Sequence, residues 1–411
     1  MKKYVAFRFF LLTILGQAAC GTRNYQDDAQ VANIVGEDSS SALLIGQGYN
    51  PVQGSVKGFC VNVGLLETQS GNSSGQMAEF RLLEIESESA LRKVLSVSAS
   101  ASFKGAIGQG SARASFAESV NKNRSSRYLL VHTRVANQIE IAKSFTFSDA
   151  ATRLLKKNDT EAFLRHCGSE FVYGRRTGGE FFAVFEFSFA SSEEDRAFSA
   201  AVSGSGVGWK MAGSVNQELS KFGRFASTQI KMYVVGGSSA FPTADSIADF
   251  GTKFNMMVNL TRGNAVTLDL LTKEYDGVEP IDLRPNTEIL VKQRYVMEQL
   301  GAGRDAAREL LNTVRVVKSH PERFEPTNLE RLNHGESELN NYLNTLNDAA
   351  VECFANVVAG CKVPVLPLPL VELPKRKYEP VCHMQSTPEC ILFGDNGTCL
   401  AFKMIDQNVC S

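Results

Sequence analysis

Few residues in this chain are arranged to do chemistry. Its five histidines form no His-Glu-x-x-His zinc pattern, and no glycine-rich loop ends in Lys-Ser or Lys-Thr to hold a phosphate. The run GNSSG, Gly71 to Gly75, matches a serine-hydrolase elbow with Ser73 as nucleophile. It lacks the apolar strand that would deliver that serine into a strand-to-helix turn, so a surface loop is expected there. Asp395, Asn396 and Asp406 offer oxygen ligands for a cation, but the same residue types serve turns. The expectation is a protein that is not an enzyme, with no metal and no cofactor.

The cysteines are the remaining reactive groups. Cys20 closes the leader MKKYVAFRFFLLTILGQAAC, where Lys2, Lys3 and Arg8 accompany an apolar run from Phe9 to Leu15, followed by Ala18 and Ala19. Such a segment is an export signal, too short to span a bilayer. Small residues before Cys20 resemble a bacterial lipoprotein cleavage site and make Cys20 the candidate for lipidation; simple cleavage near Ala18 would instead give a secreted chain. Outside the cytosol the other eight cysteines, Cys60, Cys167, Cys353, Cys361, Cys382, Cys390, Cys399 and Cys410, are disulfide candidates. Many connectivities are open to eight cysteines. Local crowding favours two bridges within 382–410, one closing Cys353 to Cys361, and a long-range bridge from Cys60 to Cys167. Zinc would want paired Cys-x-x-Cys spacing, which is missing.

Around these groups the chain must build a core. It has 411 residues, of which 43% are apolar and 21% charged, enough for one large domain and a smaller appendage. A net charge of −1 and a pI near 6.6 offer no basic face for phosphates, so nucleic acid is excluded as a partner. The layout reads as a signal peptide (1–19), a polar tether (20–40), a main domain (41–360), a proline-rich linker (361–376) and a disulfide-rich module (377–411). Apolar residues near a 3.6 period predict helices over Gln299–Val317 and Leu329–Val358.

Two segments alternate instead with period two. In VSASASFKGAI the odd positions Val97, Ala99, Ala101, Phe103 and Ile107 are apolar, and serines and Lys104 lie between them. After Gly108-Gln109-Gly110 the phase flips to Ala112, Ala114, Phe116 and Val120. A hairpin turning at Gln109 and Gly110 separates the faces almost completely, with Phe103 opposite Phe116 and Ala99 opposite Val120. Arms of this length suit a membrane-spanning strand, apolar to lipid and polar to a lumen. Glu118 is the exception and falls toward the membrane interface. The second segment is weaker: Phe198, Ala200 and Val202 precede a turn at Gly204 and Ser205, and Val207, Trp209 and Met211 follow it. Arg196 interrupts its apolar face, so its clean arm is short.

Between the two segments, Gly168-Ser169-Glu170-Phe171, six residues, then Gly178-Gly179 resembles the signature of the membrane attack complex/perforin (MACPF) family, within the MACPF/cholesterol-dependent cytolysin superfamily. Cys167 stands where the family has an aromatic residue and Glu170 where it has histidine. LIGQGYNPVQG (44–54), KMYVVGGS (231–238) and EPIDLRPNT (279–287) resemble further family segments, in the family's order. The resemblance covers residues 41–350.

The resemblance implies an α+β fold: a bent four-stranded antiparallel sheet flanked by two helical clusters that unfurl into β-hairpins as subunits assemble in a ring or arc. It places Phe181, Phe185, Phe187 and Phe189 in the sheet core. Gly178 and Gly179 read as a hinge, because glycine permits a sharp bend or a close helix approach; Gly236 and Gly237 read likewise in the partner strand. The implied function is an exported pore-forming or membrane-inserting protein whose partners are a target membrane, its own copies, and a surface receptor or glycan bound by the C-terminal module. A non-lytic surface lipoprotein of the same fold, used in adhesion or envelope remodelling, is the alternative that the short second segment favours.

Overall fold

The computed structural model describes residues 45–69, 76–103, 112–189, 191–205, 208–210, 212–225, 229–238, 241–356, 361–364, 367–377, 382–393 and 399–410. The described residues begin with strands β1 (Gln47–Asn50), β2 (Ser55–Phe59), β3 (Val61–Val63), β4 (Leu66–Gln69) and β5 (Met77–Glu84). Helices α1 (Glu88–Val94), α2 (Ala99–Phe103) and α3 (Ala112–Val120) lead to the long strand β6 (Arg127–Ala142) and to β7 (Phe145–Phe147). Helices α4 (Asp149–Lys156) and α5 (Thr160–Cys167) precede β8 (Glu170–Phe187). Then come α6 (Ser192–Ser205), β9 (Gly208–Lys210), α7 (Ala212–Phe222), β10 (Gln229–Val235), α8 (Ile247–Thr261) and β11 (Val266–Glu274). Helices α9 (Glu288–Ser319) and α10 (Leu329–Ala355) follow, and strands β12 (Cys382–Phe393) and β13 (Cys399–Cys410) close the chain as an antiparallel hairpin.

The main sheet is antiparallel and has nine strands, not four. The difference lies in how its outer lanes are filled. β6 and β8 run side by side through the middle; β4 and β5 share the lane beside β6, and β10 and β11 share the lane beside β8. Shorter strands replace each other along lanes that one long strand would occupy. β1 and β2 continue the sheet beyond the start of β8, and β9 covers the outer edge of β5.

Strand alternation sends successive side chains to opposite faces, and both faces are covered. On one face Leu129, Val131, Phe181, Ala183, Phe185 and Phe187 form a core with Phe198, Val215, Leu219, Phe222, Phe250 and Phe254 from α6, α7 and α8. On the other, Tyr128, Leu130, Phe182 and Val184 meet Leu91 of α1 and Ala114, Phe116, Ala117 and Val120 of α3. The expected phenylalanines of β8 are indeed core residues. A third cluster gathers around Cys60, Cys167, Phe163 and Phe171 with Phe103 of α2 and the N-terminal half of α9.

Helix α9 starts at Glu288 rather than Gln299, and α10 matches its expected position closely. Residues 367–377 have neither helix nor strand, as their prolines require. They are docked: Leu368, Val371 and Leu373 pack on the α9–α10 core, and the Glu325 amide donates to the Lys375 carbonyl at 2.8 Å.

Candidate functional site

One level of the main sheet interrupts every lane. β6 pairs with β5 through Ala136 and with β4 from Ile139, and its ladder with β8 shifts register between those two residues. β8 pairs with β11 up to Gly178 and with β10 from Glu180. Both glycine pairs lie at this seam. A β-carbon on Gly179 would sit 2.0 Å from the Thr261 carbonyl oxygen, and one on Gly237 2.9 Å from that of Leu260. The last turn of α8 therefore rests on backbone that only glycine can supply. Gly236 and Gly237 also have φ of 68° and 74°, the left-handed region that glycine enters without strain.

The other half of the signature anchors the start of β8. Gly168 ends α5 at φ 71°, with its amide donating to Leu164 at 2.9 Å. Its α-carbon approaches Tyr49 so closely that a β-carbon would lie 2.1 Å from the Tyr49 carbonyl oxygen. Ser169 is buried, and Phe171 packs against Phe145 and Tyr275. Glu170 accepts from the Thr272 hydroxyl at 2.6 Å and lies 3.6 Å from Arg294. The buried Cys167 is bonded to Cys60, and Cys353 to Cys361, the two pairings named above. Among the main-chain positions of the C-terminal hairpin, Cys382 stands opposite Cys410, whereas Cys390 and Cys399 oppose Phe402 and Phe393.

Just beyond the glycines, a buried ionic cluster fastens the first alternating segment to the sheet. Arg113 of α3 lies 3.3 Å from Glu180 of β8, and His132 of β6 reaches the other Glu180 oxygen at 3.0 Å. The His132 ring stacks on Phe182 at 4.4 Å. Arg134 pairs with Asp269, which Arg176 approaches at 3.9 Å. Burial alone would raise the Glu180 carboxyl, but Arg113, His132 and Arg134 outweigh it and hold it down at about 2. None of these groups was singled out in the sequence, since sequence spacing does not show that positions 113, 132 and 180 converge.

Within the first alternating segment, residues Ala99–Phe103 and Ala112–Val120 are helical. Val97, Ala99 and Phe103 are buried, Ala101 is half-buried, and Ala112 begins α3. Along α3 the buried positions are Arg113, Ala114, Phe116, Ala117 and Val120, while Ser115 and Ser119 are exposed. That is a helical stripe. Ala114, Phe116 and Val120 belong both to it and to the even-numbered strand face. Lys104 to Ser111, including Ile107, lie outside the described residues.

The second segment departs from a purely helical reading. α6 buries Asp195, Phe198 and Ser205 with Val202 half-buried, but residues 208–210, Trp209 among them, form β9 with Trp209 opposite Arg81. Pairing there satisfies the outer edge of β5, which would otherwise present open hydrogen-bonding groups. Gly204 and Ser205 are the end of α6, not a turn between strands. Val207 and Met211 lie outside the described residues, as do Cys20, Ser73, Asp395 and Asn396; the side chains of Trp209, Asp406, Cys382, Cys390, Cys399 and Cys410 are likewise not described.

Among the described residues no helix is long and apolar enough to cross a membrane, and no three His, Cys, Asp or Glu residues could hold a metal ion. No family model and no curated protein matches the chain. Solved structures do show likeness. The stonustoxin structure is 15% identical, covering 76% of this chain and 41% of that one at a TM-score of 0.39. Wild-type pneumolysin is 11% identical, covering 50% and 41% at 0.30. A protein with a MAC/Perforin domain from Bacteroides thetaiotaomicron is 10% identical, covering 92% and 70% at 0.25. The matched part is thus 41% of the length of the first two.

Proposed function

We propose that this chain is an exported pore-forming protein of MACPF type, in which the two alternating segments leave their helices and extend the main sheet as membrane-inserted hairpins when copies assemble on a target membrane. The observation that carries this reading is a match of phase. The first segment lies between β5 and β6, and the second between β8 and β10, strands that are already paired next to those segments. Prolonging the β5–β6 ladder beyond Glu84 opposite Leu129 brings Val97 opposite Phe116, Ala99 opposite Ala114 and Ala101 opposite Ala112. Prolonging the β8–β10 ladder beyond Glu186 opposite Gln229 brings Ala200 opposite Val215 and Val202 opposite Gly213.

These pairs differ from the hairpin registers read from the sequence, but the parity is unchanged. In both ladders the apolar positions continue one and the same sheet face, the one that Phe182 and Tyr233 present to α3. Serines of both segments continue the other face. A four-strand extension with one apolar and one polar side is what a barrel between lipid and water requires. Weak helices favour the exchange: α2 has five residues and α3 nine, below the length at which a helix of about 12 to 15 residues holds itself in water. On this reading the glycine seam is where the sheet yields as the segments depart.

The test labels single cysteines placed at Ala112 and at Ser115 with an environment-sensitive dye, on the mature chain mixed with vesicles. Phe103 is a poorer site because it is buried in the resting core. Insertion as a strand predicts a lipid-like signal at 112, a water-like signal at 115, and release of a trapped dye. Equal signals at both positions, or no release from any lipid composition, would count against the reading.

A further inference from the structure

Helix α9 carries two stripes. Its apolar one, Ala307, Leu310, Leu311, Val314 and Val317, packs against Leu332 and Leu339 of α10. Its polar one, Arg304, Asp305, Arg308, Glu309, Asn312 and Thr313, recurs at spacings of three and four and faces the first helical cluster. Asp305 pairs with Arg92 of α1 at 2.8 Å, and Arg308 with Glu88 at 3.2 Å. Arg304 pairs with Glu118 of α3 and lies over the Phe103 ring of α2 at 5.4 Å. Glu309 accepts from the Glu88 amide at 2.9 Å and pairs with Arg124 at 3.3 Å. Asn312 donates to the Lys122 carbonyl at 3.1 Å, and the Arg124 amide to the Thr313 hydroxyl at 3.0 Å. Where the helices come closest, a β-carbon on Gly301 would be 2.7 Å from that of Ala99.

We infer that α9 is a latch that keeps the first segment helical: four ion pairs, Glu118–Arg304 within the segment and Arg92–Asp305, Glu88–Arg308 and Arg124–Glu309 in the stretches that join it to β5 and β6, must open before the segment can straighten as a continuation of those strands. The inference rests on the pore-forming reading for its purpose, though not for its geometry. The four pairs fix the register, because sliding α9 by one turn would leave two of them unmade, with Asn312 and Thr313 or Leu300 and Gly301 in place of the charges. An ionic face also suits reversible opening, since its two halves are soluble once apart, and α10 keeps the apolar stripe covered throughout. Among the described residues no ion pair joins α9 to the second cluster, whose α6 is tied instead to β6 by Asp195 and Arg127 at 3.1 Å. α9 packs on α1 and α2, while α6, α7 and α8 are held by phenylalanines on the opposite sheet face. The latch therefore delays one segment and not the other.

Hydrogen exchange on the mature full-length chain tests this, comparing wild type with the Arg304→Glu/Arg308→Glu double variant. The expected result is roughly tenfold faster exchange across residues 99–120, with residues 192–222 unchanged, and faster dye release from phosphatidylcholine vesicles with and without phosphatidylserine or cholesterol. Unchanged exchange in 99–120 overturns the latch. So does faster exchange without faster release where wild type releases dye. If wild type releases none, the pore-forming reading fails and the exchange result alone decides whether α9 holds the segment. Should the double variant not fold, Ala99→Cys/Gly301→Cys gives the converse test. Bridging those cysteines should block release until a mild reductant, one that leaves wild-type release unaffected, restores it; release by the bridged form would overturn the proposal.

Discussion

Arg113 and Glu180 meet at 3.3 Å with side chains only 3% and 4% exposed, so the first alternating segment is held to the central strand by a charge pair out of reach of water. Removing one member of a buried pair leaves the other uncompensated. Arg113→Ala should lower unfolding free energy by about 3 kcal/mol in urea titration. Arg153→Ala on the exposed face of α4 should change it by less than about 0.5 kcal/mol.

Two carboxyls give opposite pH responses. The Glu180 carboxyl, held at about 2 against an ordinary 4.5, stabilises the fold above 4.5, and its contribution is lost as pH falls from 4.5 through 2. Burial pushes Glu88 up to about 7 despite Arg308, so the folded state binds that proton more tightly than the unfolded one. Its contribution grows as pH falls from 7 to 4.5 and is lost as pH rises through 7. Glu88→Gln should therefore be more stable than wild type at pH 8, by about 3 kcal/mol, with the gap closing toward pH 4.5. Denaturation midpoints across that range check both signs.

At the seam, Gly179→Ala would drive a methyl group into the Thr261 carbonyl of α8. A loss of about 1 to 3 kcal/mol is expected in chemical denaturation, as for other overpacked sites. Gly251→Ala in the same helix meets nothing within 4 Å and should raise stability by about 0.5 to 1 kcal/mol.

The Cys60–Cys167 bridge closes a loop across a separation of 107 residues, which restricts the unfolded chain strongly. Replacing both cysteines with alanine should cost about 4 kcal/mol, read from the shift in urea midpoint, whereas removing Cys353–Cys361, separated by eight, should cost less.

Much of this protein could be read from local signals. The helical period of α9 and α10, the Phe-rich strand β8 and the two glycine pairs are short-range patterns, because alternation and backbone freedom are properties of neighbouring residues. The Cys60–Cys167 pairing emerged by setting aside the crowded cysteines. The division of the outer sheet lanes did not emerge, since nothing in β4 or β5 taken alone says that they share one lane beside β6.

The amino-acid sequence by itself determined that residues 97–120 are compatible with two structures, because Ala114, Phe116 and Val120 satisfy a period of two and a helical stripe together. Only the tertiary structure decided between them. Glu180 and the polar stripe of α9 supply charge partners that α1–α3 meet when they are helical, and those partners come from positions far away in the chain. Convergence of distant charges is a property of the folded backbone, and no local period encodes it.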